Sequence, residues 1–125
     1  MTDSRPPLLL VATTDDGERL RGGLTLACAE AALGGSVRLF LQLDAVALLR
    51  PPLSAPRDAA HAAHGLPTLA VLLDDALELG VALVACQSGL ALAGLDASLL
   101  DSRIAPGGPV GVLAATGAGE RLVIL

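Results

Sequence analysis

The chain has 125 residues, a formal net charge of −5 and 53% hydrophobic residues, with Phe40 as its single aromatic. A domain of this length buries about two-thirds of the surface its unfolded chain exposes. Scattered Arg residues, no Lys and neither Tyr nor Trp exclude the basic clusters and stacking platforms of a nucleic-acid partner, and they disfavour an anionic membrane surface.

Leu8 to Ala12, after Pro6-Pro7, is a continuous apolar run and reads as a strand buried on both faces. The polar turn Thr13-Thr14-Asp15-Asp16-Gly17 follows. Asp15 with Glu18 has capping-box spacing and opens a helix over Glu18 to Leu33. Leu20, Leu24, Ala27, Cys28 and Ala31 share one face of it, and Gly34-Gly35 end it. Gly22-Gly23 weaken its first turns by about 1 kcal/mol each but permit close packing on a sheet.

Ser36 to Leu41 is a second strand, and the strand–helix–strand order implies a right-handed crossover with parallel pairing. Asp44 caps a short helix over Ala45 to Leu49, after which Arg50-Pro51-Pro52-Leu53-Ser54-Ala55-Pro56 breaks regular structure. Arg57 to His64 reads as a short helix closed by Gly65. Pro67 takes the first position of a helix that runs to Leu79 and stops at Gly80, with Leu69, Leu72, Leu73 and Ala76 on its buried face.

Val81 to Ala85 runs straight into Cys86 and reads as a central strand buried on both faces. Leu90-Ala91-Leu92-Ala93 is helical and Gly94 closes it. Asp96 caps a turn through Leu100, Arg103-Ile104-Ala105 is a minimal strand, and Pro106-Gly107-Gly108-Pro109 is a loop. Val110 to Ala115 is a helix ended by Gly117-Ala118-Gly119, and Arg121 to Leu125 is a last strand. The alternation, without repeats or a linker, predicts one three-layer α/β/α domain over residues 1–125.

So apolar a small domain leaves apolar area on its surface, which subunit contacts usually cover, so a homo-oligomer is expected. Met1-Thr2-Asp3-Ser4 lacks the basic start of a secretory leader. The longest uncharged run, Leu79 to Leu95, is short of the roughly 20 residues of a membrane span and is interrupted by Gln87, Ser88, Gly89 and Gly94. Cys28 and Cys86 form no metal-type pair and read as reduced thiols of a cytoplasmic protein.

Cys86 is the candidate nucleophile. It ends a strand at the mouth of a helix, the edge where open α/β sheets bind ligands and where a helix amino terminus stabilises a thiolate. Ser88 is a nearby donor. The same residue also reads as a small buried hydrophobe, as Cys28 does on the apolar face of the first helix. Thr13, Thr14 and Asp15 follow the first strand and line the same rim; one glycine, no Lys and no Gly-x-Gly-x-x-Gly pattern leave no phosphate cradle there. His61 and His64 have a spacing that can serve a metal, but only Asp58 accompanies them. No metal and no cofactor is assigned. The two histidines read as a surface helix, or as neighbours of Cys86 across a subunit boundary. Asp74-Asp75 and Glu78 read as a solvated helix face.

Several stretches together resemble the DsrE/DsrF-like family, which includes the TusD-type sulfur-relay subunits. They are the apolar strand with Thr13-Thr14-Asp15-Asp16-Gly17-Glu18, the Ala-rich helix, Ser36-Val37-Arg38-Leu39-Phe40-Leu41, Glu78-Leu79-Gly80-Val81, and Val84-Ala85-Cys86-Gln87-Ser88-Gly89-Leu90 with Gly94-Leu95. The similarity covers nearly the whole chain. It implies a Rossmann-like α/β/α fold with a five-stranded, mainly parallel sheet and a trimer or hexamer. It also implies a persulfide on Cys86, received from a donor protein and passed to an acceptor. Two functions follow as expectations. The first is an intracellular sulfur carrier with a reactive, accessible Cys86 and Thr13, Thr14, Asp15, Gln87, Ser88 and Gly89 around it. The second is a non-enzymatic oligomeric small-ligand-binding or regulatory module in which Cys86 is buried or replaceable.

Overall fold

Five apolar segments too short for stable helices pair into one sheet: Leu8–Ala12 (β1), Val37–Leu41 (β2), Ala82–Cys86 (β3), Ala105–Gly107 (β4) and Arg121–Ile124 (β5). The computed structural model describes residues 5–125, and the reading of Met1 to Ser4 lies outside them. The strand order is β4-β3-β2-β1-β5 and every neighbouring pair is parallel. Leu10 stands opposite Leu39 and Val123, Leu39 opposite Leu83, and Cys86 opposite Gly107. The helices are Gly17–Ala32 (α1), Asp58–Ala63 (α2), Leu69–Glu78 (α3), Gln87–Ala93 (α4) and Pro109–Ala114 (α5), with 3-10 segments at Leu43–Leu49 and Ala97–Leu99. None of them is long and apolar enough to cross a membrane.

The two faces of the sheet are covered unequally. Leu8, Leu10 and Ala12 of β1, Leu39 and Leu41 of β2, and Leu83 and Ala85 of β3 share one face, and all are buried. Helices α1 and α3 pack together over it. A Cβ added to Gly23 of α1 would run into Leu125, whereas one added to Gly22 would meet nothing. Close approach thus explains Gly23 and not Gly22. The other face carries Leu9, Val11, Arg38, Phe40 and Val84, and among the described residues only the six-residue α5 lies on it. Arg38 pins that helix, donating to the Val112 carbonyl at 3.0 Å and pairing with Glu120 at 2.8 Å. This is a three-layer arrangement with one thin layer.

The thin layer corrects one expectation. β1 is buried along its whole length, but β3 is not: Ala82 is exposed and Val84 half-buried, because α5 is too short to reach them. Other differences are local. The cap of α1 is Asp16, not Asp15; its carboxylate accepts from the Glu18 and Arg19 amides at 2.9 and 3.3 Å. Asp44 lies inside the 3-10 segment, which begins after Gln42 without a side-chain cap. Pro67 precedes α3, whose cap is Thr68. The short strand before α5 is Ala105–Gly107, two residues beyond Arg103-Ile104-Ala105, so Pro106 and Gly107 belong to the sheet edge rather than to a loop. A proline is tolerated on such an edge strand. Asp74 and Glu78 are exposed as expected, but Arg103 bridges both, at 2.7 and 3.2 Å.

Two charged side chains of α1 are buried, which its apolar periodicity did not announce. Arg21 reaches Glu18 at 2.9 Å, Asp58 at 2.7 Å and the Pro67 carbonyl at 3.2 Å, tying α1 to α2 and to the entry of α3. Asp58 in turn accepts from the Leu69 and Ala55 amides. Glu30 accepts from Arg5 at 2.6 Å and Arg121 at 2.9 Å, joining the chain's amino-terminal segment, α1 and β5. Those hydrogen bonds, Arg5 first and Arg121 second, hold the Glu30 carboxyl down to about 2 from an ordinary 4.5. A carboxyl depressed in the folded state contributes its full stabilisation above its unfolded value and loses it as pH falls through the folded one. The Glu30 contribution is therefore complete above about 4.5 and gone near 2. Glu30→Gln is expected to lower stability at neutral pH and to flatten the fall in stability across that window, measured by urea denaturation at stepped pH. An unchanged slope would remove Glu30 from the acid response.

Candidate functional site

Parallel strands place all their carboxyl ends on one edge, and each end there leads into a turn or helix with free amides. β3 delivers Cys86 to that edge as the capping residue of α4, which begins at the next residue, Gln87. β3 is an interior strand but not the middle one, which is β2. The strand order reverses between β1 and β5, two strands away from Cys86, so the thiol is not at the switch point.

Beside β3, β2 ends at Leu41 and the chain turns through Gln42 into the 3-10 segment. Leu43 adopts φ 49°, the one left-handed non-glycine residue among the described residues. Its amide faces the Cys86 sulfur, as do the amides of Ser88 and Gly89 and the Ser88 hydroxyl. Cys86 is only 2% exposed. Burial is the largest single influence on the thiol and pushes its pKa up, but the Leu43, Gly89 and Ser88 amides with the Ser88 hydroxyl outweigh it. The net effect is a thiol held below its ordinary value. Cys28 shows the opposite balance: burial first and the Asp75 carboxylate second push it up, and its Sγ lies 4.0 Å from the Leu72 carbonyl. Neither cysteine is in a disulfide.

Gly89 is fixed by this arrangement. A Cβ there would stand 2.5 Å from the Leu43 carbonyl oxygen and would strike the Val46 side chain. The missing side chain lets α4 lie directly on the 3-10 segment, with Arg50 closing the contact by donating to the Ala93 carbonyl.

The residues expected around Cys86 are brought together in part. Gln87 and Ser88 are exposed on the first turn of α4, and Gly89 is buried beneath them. Asp15 and Gly89 line one cleft of about 100 Å³, with Leu43, Asp44 and Leu92. Thr13 and Thr14 are exposed in the turn after β1, where the Thr14 hydroxyl accepts from the Asp16 amide at 3.4 Å. They do not line that cleft. Leu43 and Asp44 are the additions that residue type did not announce. Their only signal is position, immediately after a strand that neighbours the Cys86 strand. His61 and His64 lie apart, on and just after α2, and no group of three metal-ligating side chains occurs among the described residues.

Gly89→Ala is expected to push Leu43 away from the sulfur. It should raise the Cys86 pKa, read from the pH dependence of alkylation, and cost about 1–3 kcal/mol of stability from overpacking. A stable Gly89→Ala protein with an unchanged Cys86 titration would show that the Leu43 amide is not a determinant of the thiol.

No family model matches the chain, and no curated protein matches its sequence. Among solved structures the chain is similar to the ychN protein from E. coli, with a TM-score of 0.75 at 21% identity over 97% of this chain and 100% of that one. At that identity the likeness carries the architecture alone: this chain has a DsrE-like α/β fold.

Proposed function

We propose that the chain is a sulfur carrier that holds a persulfide on Cys86. The observation that carries this reading is the ring of donors around a buried sulfur: three backbone amides and the Ser88 hydroxyl, which lower the thiol's pKa in spite of its burial. In loading, the Cys86 thiolate attacks the outer sulfur of a donor protein's persulfide. The donor's S–S bond breaks, its thiolate leaves with the electron pair, and Cys86 becomes the persulfide. In delivery an acceptor thiolate attacks the outer sulfur in the same way, and Cys86 returns as thiolate. The sulfur moves between thiolates with no external oxidant. Attack is most efficient when the nucleophile's pKa lies near ambient pH, the direction in which the donors move Cys86. Gln87 and Ser88, exposed beside it, and Asp15, which lines the cleft shared with Leu43 and Gly89, are the rim that a partner would meet.

The 2% exposure of Cys86 favours a second reading, a small-ligand-binding module in which the cleft between Asp15 and Gly89 holds the ligand and Cys86 is core. Alkylation of the native protein, followed against pH with the modified cysteine located by mass spectrometry, separates the two. The carrier requires a reaction at Cys86 with a midpoint below the roughly 8.5 of free cysteine, and persulfide loading that Cys86→Ser abolishes. Reaction at Cys86 only after unfolding would establish the binding module instead.

The homo-oligomer belongs to the same proposal, as a trimer or hexamer built on the thin face of the sheet. Leu113 is 59% exposed on α5 and Ile124 60% exposed on β5, and both line an apolar cleft of about 180 Å³ that reaches Leu9, Val11 and Phe40. A second copy of this chain is the occupant that its own apolar surface suits. Leu113→Glu with Ile124→Glu is expected to yield a folded monomer by light scattering after gel filtration. If the unsubstituted chain is itself monomeric at micromolar concentration, the interface does not exist.

A further inference from the structure

Arg57, His61 and His64 line one cleft of about 180 Å³ together with Ala60 and Leu66. His61 and Leu66 also line a neighbouring cleft of about 230 Å³, walled by Arg21, Thr25, Pro67 and Leu72. Through these shared residues the two clefts form one trough: Arg57 and both histidines stand at one end, and the other is mostly apolar, its one charged side chain, Arg21, being paired with Glu18 and Asp58.

Packing does not account for these side chains. Helix α2 buries no residue, and of its side chains Asp58 is the one tied to the core, through Arg21. The chain has two histidines, and both are here. Seven of the eight arginines have a side-chain partner: Arg5, Arg19, Arg21, Arg38, Arg103 and Arg121 pair with carboxylates, and Arg50 donates to a carbonyl. The Arg57 guanidinium has none among the described residues. Of the carboxylates beside the trough, Glu18 and Asp58 are both engaged by Arg21, at 2.9 and 2.7 Å, and Glu18 also accepts from the Arg57 backbone amide at 2.9 Å. A protein of net charge −5 thus gathers its uncommitted guanidinium and both imidazoles at one cleft.

We propose that this trough binds a small amphiphilic anion, a carboxylate or phosphate on a short apolar tail. The head group accepts hydrogen bonds from Arg57, His61 and His64, while the tail covers Leu66, Pro67 and Leu72. A guanidinium gives charge-assisted hydrogen bonds to such a head group and imidazole N–H groups donate beside it, and the apolar end gains from covering surface that water otherwise meets. The site does not involve Cys86 and stands apart from the sulfur-carrier reading.

Calorimetric titration of the full chain with hexyl phosphate, inorganic phosphate and hexanol tests it. Hexyl phosphate is expected to bind more tightly than either fragment, by about tenfold or more, the weight of a charged hydrogen bond or a buried tail. Arg57→Gln with His61→Gln and His64→Gln should lose about tenfold or more for hexyl phosphate. Leu66→Gln should weaken hexyl phosphate and leave inorganic phosphate unchanged, and Cys86→Ser should change neither. These side chains are exposed or lie on a helix that buries nothing, so the variants keep the fold. Equal affinity for hexanol and hexyl phosphate, or an unaffected triple variant, would overturn the proposal. So would binding to phosphatidylglycerol vesicles without binding to monomeric hexyl phosphate, which would make the cluster a membrane contact.

Discussion

Parallel pairing is the constraint from which the rest of the molecule follows. A strand that runs parallel to its predecessor must be reached by a connection that returns the chain to the starting edge, and that connection is right-handed. From β1 to β2 to β3 to β4 the sheet grows in one direction, so these crossovers stack on one face. Only the step from β4 to β5 runs back across the sheet, and it places α5 on the other face. One face is sealed by α1 and α3, and the other receives six residues of helix. The same rule puts Ala12, Leu41 and Cys86 on a single edge, which is why the thiol meets amides from an element far from it in the chain.

A core built from leucine and small residues, with one aromatic, offers few directional contacts to orient its layers. Arginine–carboxylate pairs do that work. Arg21 fixes how α1, α2 and α3 meet, Arg38 fixes α5 and the turn before β5, and Glu30 gathers Arg5 and Arg121 at the edge of β1 and β5. Desolvation offsets much of the attraction in buried pairs, so their contribution lies more in orientation than in net stability. Apart from Arg21–Glu18, which lies within α1, each of these pairs joins segments distant in sequence.

The order of elements and the parallel sheet were legible because apolar runs and Gly or Pro boundaries are local signals. What was not legible depended on contacts across the fold. Leu8 to Ala12 and Val81 to Ala85 are equally apolar runs, yet only the first is covered on both faces, because coverage depends on the reach of α5. Asp15 and Asp16 are the same residue type side by side, and a one-residue shift of the helix start gives the cap to Asp16 and leaves Asp15 to the cleft. Cys86 could be placed at a strand end from its neighbours in sequence. Leu43 could not be placed beside it, since a leucine carries no preference for φ 49° and its partnership with Cys86 arises only from β2 and β3 lying side by side.

That left-handed leucine also bears on the titration of the thiol beside it. A non-glycine residue in this region costs on the order of 1–3 kcal/mol and persists only where its surroundings over-determine it. Here α4, seated through Gly89, presses the 3-10 segment into the shape that aims the Leu43 amide at the sulfur. The Leu43 amide is one of the donors that hold the Cys86 thiol down, so a shift of the 3-10 segment away from β3 would remove that donor and raise the thiol's pKa. The left-handed backbone at Leu43 and the balance at Cys86 thus depend on one contact, the seat of α4 on the 3-10 segment that the bare Gly89 permits.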